Sequence, residues 1–283
     1  MLSNLCVLPP GEKNRAQQIT SGPAKQEGYG GLSWLGDDRI AYTSKAGGSP
    51  EVWAVNVDGS HAKQLTRRSD FGRLFAARAC AGGRYILTVS DLPSIWRFDS
   101  DGGNPKQLTN FDNDFYPSCS PDGKWVVFTS LRLGKNTLWR TSIDGSEPER
   151  LTDYPSELPD VSPDGKWIAF SNESEPGKLK LVVVPFQGGQ PAKSFEVMSG
   201  TPAGVYRNVY WSRDGRALTY VDTRKGVSNI WSQSLEGGAL RPLTDFRAGL
   251  IFDFAWSPDG RRVALACGTQ TSDVVLMKDS SNR

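Results

Sequence analysis

A Ser-x-Asp-Gly stretch followed by a basic residue recurs four times in this chain, pairing Ser120 with Asp122, Ser162 with Asp164, Ser212 with Asp214 and Ser257 with Asp259. A serine beside a base and an acid is the raw material of nucleophilic catalysis. The chain holds a single histidine, His61, and one base cannot serve four nucleophiles. No Gly-x-Ser-x-Gly elbow is present either. The four copies read "SPDGKW" at Ser120–Trp125 and Ser162–Trp167, "SRDGRA" at Ser212–Ala217 and "SPDGRR" at Ser257–Arg262. Proline presets φ, aspartate accepts from local amides and glycine takes φ > 0, so each copy suits a tight turn. The recurring Ser and Asp are scaffold.

Other reactive-looking stretches fail for want of context. His61 follows the turn "NVDGS" and is expected on an exposed rim. "GYGGL" at Gly28–Leu32 has no strand–loop–helix around it to cradle a phosphate. Asp70-Phe71-Gly72 imitates a kinase triplet without the Gly-rich loop, strand lysine or HRD-type loop that a kinase needs. No segment matches a calcium loop. Cys6, Cys80, Cys119 and Cys267 lack metal-ligand spacing and are expected as free thiols in small apolar sites. In an oxidising compartment three full pairings stay open to them. No metal and no cofactor is expected.

The elements that carry these residues follow from a repeat. "LT" closes a segment at Leu65–Thr66, Leu108–Thr109, Leu151–Thr152 and Leu243–Thr244, with "IT" at Ile19–Thr20. Gly59, Gly102, Gly145 and Gly188 each follow an acidic or polar residue and lie 43 residues apart, with Gly237 after a longer unit. Trp53, Trp96, Trp139 and Trp231 recur between these markers, and inter-blade packing is their expected role. Each unit reads as four short strands rich in Val, Ile, Trp, Phe and Thr, bounded by Gly, Pro, Asp and Ser. Four-strand repeats of this length predict an all-β, six-bladed β-propeller of four-stranded antiparallel blades. One domain over residues 1–283 is expected. Its blades fall near 21–66, 67–109, 110–152, 153–197, 198–244 and 245–283 plus 1–20, so the two termini share a blade and close the ring. The third strand of that shared blade has two candidates, Asp273–Lys278 and Asn4–Pro9, with Arg15–Thr20 as the fourth.

These stretches resemble the WD-like Pro-Asp repeat family of the TolB type, over essentially the whole chain. "WSPDGRRVALAC", "SPDGKWVVFTS", "SPDGKWIAFSN" and the "DG…LT" tails carry the likeness. It implies a propeller. Similar propellers occur as gating domains of prolyl-oligopeptidase-type peptidases and as parts of bacterial membrane-anchored Ser/Thr kinases. The likeness therefore implies a module, one that such a larger signalling or envelope protein could carry as a sensor, and no catalytic residues.

The bulk numbers narrow the partners. With 33 basic against 31 acidic side chains the net charge is +2, which does not suit nucleic acid as a partner. No run of about 18 apolar residues exists to insert in a membrane. The opening "MLSNLCVLPPGEKN" lacks the basic and apolar regions of a secretion signal. A cytoplasmic chain is expected, or an extracytoplasmic one if it belongs to a longer membrane-anchored protein.

Function should lie where the copies differ. Loops between blades and loops joining second and third strands share one face around the channel mouth. They include Arg67–Phe75, Asn110–Tyr116, Ser130–Asn136, Ser199–Asn208, Asp222–Asn229 and Asp245–Phe254, rich in Arg, Asp, Phe and Tyr. Such a mixture suits a protein or peptide contact. Arg73, Phe115, Tyr116, Tyr206, Arg207 and Asp253 are the candidate binding residues. A non-catalytic binding or scaffold module is the expected function. The alternative is a lyase, a hydrolase or a small-molecule or glycan-binding protein with its site at the channel mouth.

Overall fold

Alternating short β-rich runs and Gly-containing turns produce one antiparallel meander per repeat. In the computed structural model, which describes residues 2–22, 26–67, 71–91, 94–111, 113–175, 178–198 and 208–269, they form six four-stranded sheets. In chain order the strands are β1 (Leu2–Leu8), β2 (Gln17–Gln18), β3 (Leu32–Trp34), β4 (Arg39–Ser44), β5 (Glu51–Asn56) and β6 (Lys63–Gln64). There follow β7 (Leu74–Cys80), β8 (Tyr85–Ser90), β9 (Ser94–Asp99), β10 (Lys106–Gln107), β11 (Asp114–Cys119), β12 (Trp125–Ser130), β13 (Thr137–Ser142) and β14 (Glu149–Arg150). The rest are β15 (Glu157–Val161), β16 (Trp167–Glu175), β17 (Lys178–Pro185), β18 (Lys193–Met198), β19 (Val209–Trp211), β20 (Ala217–Arg224), β21 (Val227–Ser234), β22 (Arg241–Pro242), β23 (Leu250–Trp256) and β24 (Val263–Thr269). Blades one to five are β3–β6, β7–β10, β11–β14, β15–β18 and β19–β22. The architecture is a six-bladed β-propeller.

The sixth blade has the order β2-β1-β24-β23, so the N-terminal segment supplies its third and fourth strands. Of the two sequence candidates for the third strand, the one within Asn4–Pro9 fills the role as part of β1, paired along its length with β24. The other, Asp273–Lys278, lies outside the described residues.

The core is divided among the gaps between blades. Six apolar clusters each mix side chains of two neighbouring blades, for example Val127 and Leu138 of the third with Ile168 and Phe170 of the fourth. Second strands are buried on both faces for that reason: in β4 every residue from Ile40 to Ser44 is buried. Trp53, Trp96, Trp139 and Trp231 each pack, half-buried, against one of these clusters.

The sequence markers have direct structural causes. In each "SPDG" turn the serine hydroxyl donates to the aspartate and accepts the amide five residues on, as from Ser162 to Asp164 (2.6 Å) and from Trp167 (2.9 Å). In "LT" the threonine hydroxyl accepts a third-strand amide: Val52 at Thr66, Ile95 at Thr109, Leu138 at Thr152, Ile230 at Thr244 and Leu5 at Thr20. The two tail markers also touch. A Cβ at Gly102, where φ is +91°, would meet the Leu65 carbonyl of the preceding blade at 2.3 Å. Glycine keeps that close approach open.

The expectation of four free thiols is corrected. Cys6 pairs with Cys267, joining β1 to β24, and Cys80 pairs with Cys119, joining the innermost strands of blades two and three. Pairs separated by 261 and 39 residues are brought together only by the ring, so their spacing carries no signal.

Candidate binding site at the channel mouth

First strands line the central channel, and four of them are irregular. The pairing register slips between Phe75 and Arg78, Phe115 and Ser118, Glu157 and Asp160, and Ile251 and Asp253. In blades two to four the extra residue is left-handed without being glycine: Ala76 at φ 58°, Tyr116 at 54° and Leu158 at 56°. Such positions cost about 1–3 kcal/mol each and gather where a strand must re-aim its side chains. Here all three border one cavity of about 400 Å³ that opens on the loop face.

Its walls are mostly apolar, from Phe75, Val89, Phe115, Tyr116, Pro117 and Leu158, with Ser90, Asp91 and Asn113 among them, and its floor is polar, from Arg78, Asn208, Tyr210 and Asp253. A second cavity of about 460 Å³ opens on the opposite face, beside the "SPDG" turns, lined by Ser33, Ser118, Asp160 and Trp211. Arg78 and Tyr210 border both cavities. Arg78 leaves blade two and reaches blades five and six, forming a crossbar that divides the channel.

The crossbar is tightly connected. Arg78 donates from Nη2 to the Tyr210 hydroxyl, and its guanidinium lies 4.7 Å from the centre of that ring. Tyr210 donates in turn to Asp253 Oδ1 at 2.7 Å, as does the Asn208 amide at 2.9 Å. Asp253 is 2% exposed, and its Oδ2 lies 3.8 Å from Arg78 Nη2. Burial disfavours the Arg78 cation, but attraction to Tyr210 and Asp253 outweighs it and raises the pKa, so the charge is permanent. Burial also lifts Tyr210 well above the ordinary tyrosine value, which keeps the phenol neutral and unfit as a base.

Below the crossbar, inward polar side chains hold the amides of the next blade. Ser33 accepts from Ala79, Ser118 from Val161, and Asp160 from Trp211. Burial pushes the Asp160 carboxyl up to about 6, against the opposing pull of the Trp211 amide, Arg78 and Ser118.

The sequence-derived candidates separate into three groups. Phe115, Tyr116 and Asp253 line the upper cavity together. Arg73 stands at its rim, half-exposed, with Nε donating to Asp91 at 2.6 Å, and it is Asp91 that lines the cavity. Tyr206 and Arg207 lie outside the described residues. Arg78, Tyr210 and Leu158 were missed. A signal existed for the first: "LFAARAC" sets one charge in a strand of small and apolar residues, just before "AGG", where blade two departs from the Ser-Pro-Asp-Gly turn. His61 is exposed and hydrogen-bonds to Asn56 and Ser60. Among the described residues no group of three or more His, Cys, Asp or Glu is placed to hold a metal.

No protein-family model matches the chain. Among solved structures, a putative TolB from Agrobacterium tumefaciens superposes over 96% of this chain and 100% of its own, with TM-score 0.69 at 16% identity. TolB from Acinetobacter baumannii matches 82% of this chain and 64% of its own, with TM-score 0.58 at 20% identity. The fold is the TolB-type β-propeller. An oligogalacturonate lyase solved in complex with manganese shares the propeller over 95% of this chain and 79% of its own, with TM-score 0.59 at 16% identity. By sequence, the uncharacterized peptidase YuxL of Bacillus subtilis is 41% identical over 54 residues. That stretch is 19% of this chain and 8% of the relative. Structural likeness at these identities fixes the architecture and transfers no activity.

Proposed function

We propose that the chain is a binding module that takes a segment of a protein or peptide partner into the loop-face cavity. The observation that carries this reading is the convergence of three strained, non-glycine bulges on one apolar cup with a buried polar floor. Aromatic walls supply contact area, and the Arg78–Tyr210–Asp253 floor supplies orientation. A random peptide library displayed with free ends, selected on the immobilised protein, tests it. Enriched peptides should bind with micromolar or better affinity. Tyr116→Ala and Leu158→Ala should each weaken them about tenfold without lowering the melting temperature. Enrichment that survives Leu158→Arg, or no enrichment, counts against the cup.

An enzymatic reading has the lyase likeness and the buried Arg–Tyr–Asp trio behind it. Incubation with oligogalacturonate, followed by product chromatography, separates the two readings. Turnover lost in Arg78→Gln would favour the enzyme.

A further inference from the structure

Two segments of this chain suit the third-strand place of blade six. β1 holds it, with Asn4 facing Cys267, Leu5 facing Ala266 and Cys6 facing Leu265. Its side chains divide between the flanking gaps, Leu5 and Val7 toward blade one, Cys6 and Leu8 toward blade five. Residues 273–278 read Asp-Val-Val-Leu-Met-Lys, and set over Asn4–Pro9 they put an apolar residue at each of those four positions. Their own placement lies outside the described residues.

The connection fits as well. In blades one to three the second and third strands end on Ser44 facing Glu51, Ser90 facing Ser94 and Ser130 facing Thr137, which enclose residues 45–50, 91–93 and 131–136. Cys267 stands ten residues after its turn serine, Ser257, as Ser130 does after Ser120. Asp273 facing Cys267 would enclose five residues, 268–272. The Thr20 hydroxyl that accepts the Leu5 amide would then serve the Val274 amide. So short a loop costs less chain entropy than recruiting a strand from the far end of the sequence. What β1 has and residues 273–278 lack is a covalent tie to the strand both compete for, the Cys6–Cys267 disulfide.

We propose that residues 273–278 are a second occupant of this place and that the Cys6–Cys267 disulfide is the lock that keeps them out. Opening the lock takes a dithiol: the S–S bond breaks, its sulfurs gain two electrons and two protons, and the dithiol closes to its own disulfide. Residues 273–278 then pair with β24, and residues 2–8 leave the sheet as a free arm. The exchange goes beyond the binding-module reading and does not depend on the cup.

Hydrogen exchange of the whole chain, read by peptide mass spectrometry before and after dithiothreitol, provides the test. After reduction, amides within 4–8 should exchange at least about tenfold faster and those within 274–277 at least about tenfold slower. The same response in Cys80→Ser with Cys119→Ser, which leaves only the closing disulfide, assigns the lock to Cys6 and Cys267. Protection of 4–8 that persists once alkylation shows both thiols free overturns the inference, and so does its loss with no gain at 274–277. These outcomes need no variant. A response that vanishes in the Cys80 and Cys119 double variant overturns the lock. Cross-linking checks the register in the Cys6→Ser background. Val275→Cys should place a thiol that bonds Cys267, whereas Leu276→Cys, aimed at the other gap, should not. Equal cross-linking at the two positions, or none at either, counts against the exchange.

Discussion

At the scale of single residues, two sets of carboxylates titrate in opposite senses. Asp122, Asp164, Asp214 and Asp259 are held below the ordinary range, chiefly by the serine hydroxyl two residues before each. A lowered folded pKa gives stability that is complete above the unfolded value, about 3.9, and is lost as pH falls through the folded one. Asp160 is raised to about 6, so from about pH 4 to 6 the folded chain holds a proton that the unfolded chain releases. Its contribution therefore falls as pH rises through that window. Urea titrations from pH 4 to 7 should show Asp160→Asn gaining on the natural chain as pH increases. Ser162→Ala should cost about 1 kcal/mol near pH 7 and progressively less as pH falls below about 3.9, the unfolded aspartate value. The turn serines and aspartates were legible in the sequence because they repeat, and repetition marked them as scaffold. Arg78 occurs once, and only the fold shows that it crosses to Tyr210.

Strands and turns were legible to the extent that their chemistry is local. The "SPDG" and "LT" markers satisfy hydrogen bonds within their own blade, so the residues name the element. The first-strand bulges are different. Ala76, Tyr116 and Leu158 are ordinary residues in left-handed backbone, held there by neighbouring strands, as where the Leu158 amide donates to Thr129 Oγ1 at 3.2 Å. Nothing in "LFAARAC" or "ELPDV" announces such a conformation, so the positions of the cup's apolar walls could not be derived from pattern. Ala76→Gly removes the Cβ strain and should raise stability by about 0.5–1 kcal/mol in chemical denaturation. The same change loosens the rim, and affinity for any selected peptide should fall two- to threefold.

For the whole molecule, ring closure dominates. The sequence showed that the termini share a blade, because "RAQQIT" supplies the tail marker missing after β24, but left its third strand open. The cysteine pairs were illegible, since one spans 261 residues and forms only once the ring exists. Purified protein unfolded without reductant should show no thiol reactive toward Ellman's reagent. Cys6→Ser with Cys267→Ser should cost about 2–5 kcal/mol, read as a lower urea midpoint. Such cross-links persist in an oxidising medium and are reduced by a glutathione pool, so the thiol count also reports the surroundings in which the protein was made. The pairing of β1 with β24 bears on synthesis too. Cys6 leaves the ribosome 261 residues before Cys267, on the order of tens of seconds earlier at usual elongation rates. Throughout that interval Cys6 is exposed alongside Cys80 and Cys119, and the cysteine it must join does not yet exist. A nascent chain of this design is safest if oxidation waits for release.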